Sequence, residues 1–170
     1  MTTSRSRWLR RYAVLTLGAG LWVGADNALA LALCSVSVTD PLTFGVYQPS
    51  AVKTDTGTAE VSCLGIVVGS VGYTVSLGLS GYGSGDHIST RYLNNTTNGG
   101  DYMAYNVYTD ALYSTVWGDG STGGLFSGSL SLLITHRSHT FYGKVPPGQF
   151  TLLAGAFSEK LIVTVTYNLL

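Results

Sequence analysis

The sequence predicts an all-β protein, a single domain folded as one antiparallel β-sandwich, and three observations carry the prediction. Beyond residue 30 the chain is rich in Gly, Thr, Ser, Val and Tyr and poor in Lys, Glu and Ala, which suits strands and tight turns rather than helices. Several segments alternate apolar and polar residues with period two, the mark of half-buried antiparallel strands. Clusters of Gly, Asn, Asp and Pro separate these segments at short spacing and no stretch has a helical period, which favours a sandwich over an open sheet.

The first element stands outside that fold. Arg5, Arg7, Arg10 and Arg11 form a positive start, "YAVLTLGAGLWV" (12–23) is apolar, and "GADNALALA" (24–32) is polar and small. This order predicts a cleaved secretory signal peptide over 1–30. The apolar run falls short of the ~20 residues a membrane-spanning helix needs, so it is read as a signal and not an anchor. Cleavage is expected after Ala30, with Ala32 and Ala25 as the alternatives, leaving residues 31–170 as the domain. Five basic and eight acidic residues then remain, a net charge near −3. The basic residues Lys53, Arg91, Arg137, Lys144 and Lys160 are scattered, which argues against nucleic acid as a partner, since phosphate binding needs clustered cations.

The strands follow in order. "TAEVSCL" (58–64) sets Ala59, Val61 and Cys63 on one face, and "GYTVSLGLSG" (72–81) groups Tyr73, Val75, Leu77 and Leu79. "AYNVYTDALY" (104–113) carries Tyr105, Val107 and Thr109 on one side, and "SHTFYGKV" (138–145) comes next. The clearest alternation closes the chain. In "EKLIVTVTYNLL" (159–170), Leu161, Val163, Val165, Tyr167 and Leu169 face one way, and Ile162, Thr164, Thr166 and Asn168 the other. Turns are expected at "GYGSGD" (81–86), "NNTTNGG" (94–100), "WGDGSTGG" (117–124) and "VPPGQ" (145–149). Cys34 and Cys63, an even count behind an export signal, predict one disulfide.

No catalytic, cofactor or metal motif emerges. "HRSH" (136–139) puts His136 and His139 three apart, on opposite faces of a strand, with no Cys, Asp or Glu nearby in sequence to complete a metal site. These and His87 are read as polar loop residues. Asp86-His87 lies among serines, but no G-x-S-x-G turn is present to activate one. Asp101, Asp110 and Asp119 are single acids at strand ends or turns. Ten tyrosines beyond the signal, with Trp117, could line a sugar-stacking platform, although Tyr also packs well within sheets.

The succession "CSVSVTDPLTFGVYQP", "GTAEVSC", "YTVSLGLSG", "RYLNN", "MAYNVYTD", "WGDG", "FYGKVPPGQ" and "GAFSEKLIVTVTY" resembles the spore coat protein U (SCPU) domain family, which includes pilin subunits of archaic chaperone–usher (Csu-type) pili. The resemblance covers 34–167. One departure is Phe157 and Glu159 in "GAFSEK", where family members usually carry G-x-Y-x-D.

The resemblance implies an immunoglobulin-like sandwich lacking one strand, and a Cys34–Cys63 pair. It implies three partners: a periplasmic pilus chaperone that lends the missing strand, an outer-membrane usher, and neighbouring pilin subunits, one of which replaces that strand. It also implies export through the periplasm to a surface pilus of the kind used in cell adhesion and biofilm. Leu161, Val163, Val165 and Tyr167 are the candidates to meet the incoming strand.

Cleavage after Ala30 leaves three residues before Cys34, and cleavage after Ala25 leaves eight. At ~3.3 Å per residue, three cannot cross a neighbouring sandwich. Leu29, Leu31 and Leu33 alternate as a short donor would, but the signal's tail and cleavage motif account for them. The expectation is a non-catalytic subunit that accepts a strand without giving one, at a fibre tip or terminus. The alternatives are a self-standing secreted domain binding glycan or another surface, and a coat or matrix protein.

Overall fold

A computed structural model describes residues 32–65, 69–83, 87–131 and 133–170. The signal expected over 1–30 and Asp86 lie outside the described residues. Nine strands are seen among those described: β1 (Leu33–Asp40), β2 (Lys53–Leu64), β3 (Ser70–Leu77), β4 (Arg91–Asn95), β5 (Tyr102–Tyr108), β6 (Phe126–Ser131), β7 (His136–Val145), β8 (Phe157–Ser158) and β9 (Val163–Leu169). They form a six-stranded sheet in the order β1-β2-β7-β5-β4-β8 and a three-stranded sheet in the order β6-β3-β9, with every strand pairing antiparallel. The all-β, single-sandwich expectation holds.

Period-two patterning places the core between the sheets. β2 buries Ala59, Val61 and Cys63 while Thr58, Glu60 and Ser62 stay half exposed, and β3 answers with buried Val71, Tyr73, Val75 and Leu77. Cys34 lies opposite Cys63 in the β1–β2 register and the two are disulfide-bonded, 29 residues apart in sequence. In the chain-entropy view, closing such a loop contributes about 3–4 kcal/mol.

Five strand boundaries differ from expectation. β5 ends at Tyr108 and not at 113, because the Asp110 carboxylate accepts from Leu112, Ser114 and Thr115 N and turns the chain, and β7 starts at His136 and not at 138. β2 starts at Lys53, because β-branched Thr54 and Thr56 extend its pairing with β7 beyond the alternating half. β3 ends at Leu77, leaving Leu79 exposed: the Gly78 N–H still donates to Ile162 O (2.8 Å), but its carbonyl accepts from the Arg91 guanidinium. β9 starts at Val163; ahead of it the Glu159 carboxylate accepts from Ser80 Oγ and Tyr105 Oη.

Candidate functional site

Between the sheets, beside the start of β9 at Val163, runs a groove of about 930 Å³. Trp117, Tyr105, Val107 and Phe141 line its depth, all buried. Trp117 is fixed twice, by its own N–H to Val107 O (2.8 Å) and by Nε1 to Val75 O (3.0 Å). Its ring meets Phe126 and Phe141 at centroid distances of 4.9 and 5.2 Å. The "WGDG" turn holds it there. Asp119 Oδ1 accepts from Ser121 N (2.9 Å) and Thr122 N (2.8 Å), and Gly118 passes so close to the Thr122 carbonyl that no side chain fits. These hydrogen bonds also hold the Asp119 carboxyl below its ordinary pKa, led by the one from Thr122 N. Asp119 thus supports a turn, as expected of it. Trp117 does not: it is a core residue, 1 % exposed, and no part of a sugar platform.

One wall is Val38 with the segment 41–49, which runs without regular structure from β1 to β2. Thr43 N donates to Asp55 and Tyr47 Oη to Pro146 O (2.8 Å), so both ends of the segment are tied down. Leu42 and Phe44 lie against β7 where Gly143 leaves room for them, and Phe44 sets its edge on the Tyr105 ring. The opposite wall is Leu152–Glu159 with Leu161 and Val163. Asp101 accepts from Leu153 N (2.7 Å), Asn95 Nδ2 donates to Leu153 O (3.3 Å), and Thr96 N donates to Ala156 O (2.7 Å), which hold this wall in place. Val38, Val46, Leu153 and Ile162 are exposed nearby.

Among the described residues β9 pairs only with β3, so its other edge has unpaired backbone groups. The four candidates for strand contact fall in different places. Leu161 and Val163 line the groove; Val165 is half-buried against the core but outside the groove lining; Tyr167 is 36 % exposed, opposite Tyr73 in register.

Two polar clusters escape the sequence reading. Arg91, counted there among the scattered cations, is 0 % exposed. Its guanidinium donates to Asn106 Oδ1 (2.7 Å), Trp117 O (2.8 Å), Gly78 O (2.9 Å) and Leu77 O (3.2 Å), joining β4, β5 and the end of β3 to the Trp117 turn. Glu159 Oε1 accepts from Ser80 Oγ (2.5 Å) and Gly81 N (3.1 Å), and Oε2 accepts from Tyr105 Oη (2.6 Å). Burial first, then the bond to Glu159 and its charge, push the Tyr105 hydroxyl far above its ordinary pKa, so it stays a proton donor.

The histidines correct their reading as loop residues in two of three cases. His136 and His139 are on β7, and His139 Nε2 meets Tyr73 Oη at 2.8 Å while its ring stacks on Phe126. His87 is in a turn, with Nδ1 2.8 Å from Ser80 O. Among the described residues no three His, Cys, Asp or Glu side chains converge to hold a metal ion. Nor is any helix there long and apolar enough to cross a membrane, which says nothing of a β-barrel. The rings of Tyr108, Tyr113 and Tyr142 meet edge to face at 81–87°, so they form no flat stacking surface.

Comparison with known proteins adds to this geometry. The model of the Spore Coat Protein U domain family matches residues 23–164. A subunit in the CsuC–CsuE chaperone–tip adhesion subunit pre-assembly complex, from archaic chaperone–usher Csu pili of Acinetobacter baumannii, superposes with a TM-score of 0.56 at 17 % identity. The match covers 79 % of this chain and 40 % of that one, so this chain spans well under half of its length. The P pilus rod subunit PapA gives a TM-score of 0.49 at 19 % identity, covering 79 % of this chain and 99 % of its own. No curated protein matches the sequence.

Proposed function

The chain belongs to the Spore Coat Protein U domain family, and on that premise we propose that it is an exported, non-catalytic structural subunit of a chaperone–usher-type surface pilus. Its groove takes up one extended strand, lent first by a periplasmic chaperone and then supplied by a neighbouring subunit at an outer-membrane usher. One observation carries this reading: an open, apolar groove borders the start of β9, a strand that among the described residues is paired on one side only. Unpaired backbone groups and exposed apolar side chains are satisfied together by an added strand, whose backbone pairs with the edge and whose alternate side chains fill the cleft. Leu161 and Val163 are the contacts expected within the groove, with Val165 and Tyr167 further along the same edge. The likeness of the fold to a subunit crystallised with its chaperone supports the same partner class here.

The finer reading is that the chain accepts a strand and cannot give one, which suits a tip or terminal place. It rests on export cleavage near Ala30, which leaves three residues before Cys34. The test is to express the full chain with its signal, determine the mature N-terminus by mass spectrometry, and add a synthetic twelve-residue peptide alternating Val and Thr. A start at residue 31, no self-polymerisation and a higher melting temperature with peptide support the whole reading. Fibres formed by this chain alone overturn the acceptor-only part. A melting temperature indifferent to peptide overturns the strand-uptake part.

A further inference from the structure

Among the described residues lining the groove, Glu159 is the one charged side chain. Apolar walls by themselves fix the register of an incoming strand poorly. A strand shifted by two residues presents the same face, so an alternating peptide fits such a cleft in several positions. A single polar point on an apolar surface removes that degeneracy, as one buried polar residue fixes register in a helical seam.

We propose that Glu159 sets the register of the incoming strand and selects its chemistry: the strand carries a hydrogen-bond donor, preferably Lys or Arg, where it crosses Glu159. The inference rests on the reading that the groove takes up a strand. A carboxylate accepts about four hydrogen bonds. Here Ser80 Oγ, Gly81 N and Tyr105 Oη occupy three of these positions. Ser80 and Tyr105 are 3 % and 5 % exposed, so they hold the carboxylate from the protein side while half-exposed Glu159 stays open to the groove. A bound strand strips water from that open side. An apolar side chain there leaves the charge desolvated and short of a partner, an acidic one adds repulsion, and a cation restores the lost hydrogen bond. Lys160, the neighbouring cation in sequence, is exposed and outside the groove lining, so it does not fill this role.

The experiment measures binding of fluorescent twelve-residue Val/Thr peptides to the oxidised mature chain, with Lys, Gln, Leu or Glu placed in turn at each inward position. At one position the Lys peptide is expected to bind about 10–100-fold more tightly than the Glu peptide, the range of a charge-assisted hydrogen bond. Glu159→Lys should reverse that order. Glu159→Gln, which keeps an acceptor for Tyr105, should shrink the difference to within about threefold. Equal affinities for Lys, Leu and Glu at every position, or a wild-type ranking that survives in both variants, overturn the proposal while leaving strand uptake intact. If Glu159→Lys does not fold, Glu159→Gln decides alone. Failure of the unmodified Val/Thr peptide to bind overturns strand uptake and this inference together.

Discussion

β3 and β9 lie side by side in one sheet, both alternate with period two, and end up differently buried. β3 buries Val71, Tyr73, Val75 and Leu77, each 4 % exposed or less. β9 leaves Val163 and Val165 half-buried, and Tyr167 and Leu169 exposed at 36 % and 52 %. Local sequence does not separate them, since β9 has the cleaner pattern of the two. The difference is neighbours: β3 is flanked by β6 and β9, whereas among the described residues β9 pairs with β3 alone and borders the groove at Val163. Alternation reports which face a strand offers, while burial depends on whether something covers it.

Four substitutions sharpen that contrast, from the largest effect to the smallest. Val75→Asp, on the closed strand, should prevent folding, because a charge with no partner would sit at a 0 % exposed position; loss of near-ultraviolet circular dichroism reads it. Arg91→Ala should cost about 3–5 kcal/mol in urea unfolding, since it strips a buried guanidinium from Asn106 and three carbonyls that depend on it. Cys34→Ser should lower stability by about 3–4 kcal/mol and reduce the yield of folded protein accordingly. Val163→Asp, on the open strand, should cost the isolated chain about 1 kcal/mol or less, because the new carboxylate can stay hydrated, yet abolish peptide uptake once a strand must cover it. Equal destabilisation by Val75→Asp and Val163→Asp would mean the two strands are alike after all.

The smallest effect concerns pH. Burial, and to a lesser degree the charge of Arg137, hold the His139 pKa below 6.5, so the folded state binds its proton less readily than the unfolded chain does. The stability this site contributes is therefore present above pH 6.5 and is lost as the pH falls toward the lower folded value. Tyr73 and Phe126 contact the ring, and Arg137 is the charged group that acts on it. Melting temperatures across that window should fall for the wild type and flatten for His139→Phe.

Much of the sandwich was legible. Ala59, Val61 and Cys63, then Tyr73, Val75 and Leu77, are buried as their alternation required, and the Cys34–Cys63 bond followed from count and compartment. β6 was not, because "FSGSLS" offers Leu130 as its one fully buried side chain and reads as a loop. That a strand is missing followed only from the family resemblance, and the groove that would take it was not legible. Its depth comes from Trp117, Tyr105 and Phe141, which lie on three separate segments, and one wall is the irregular segment 41–49, with no period to read. Arg91 and Glu159 were opaque for a related reason. Both are ordinary charges in sequence, and their roles come from partners that only folding brings near, such as Trp117 O for Arg91 and Ser80 for Glu159.

Hydrogen exchange at the β9 amides tests the central claim most directly, because among the described residues β9 pairs with β3 alone, which leaves every second N–H on its unpaired edge. In the isolated oxidised chain, alternate amides across 163–169 should exchange fast while their neighbours, bonded to β3, are protected. Adding the Val/Thr peptide should slow the fast set by orders of magnitude and leave β3 unchanged. Uniform protection along β9 before any peptide is added, or a fast set that peptide does not slow, would contradict the account.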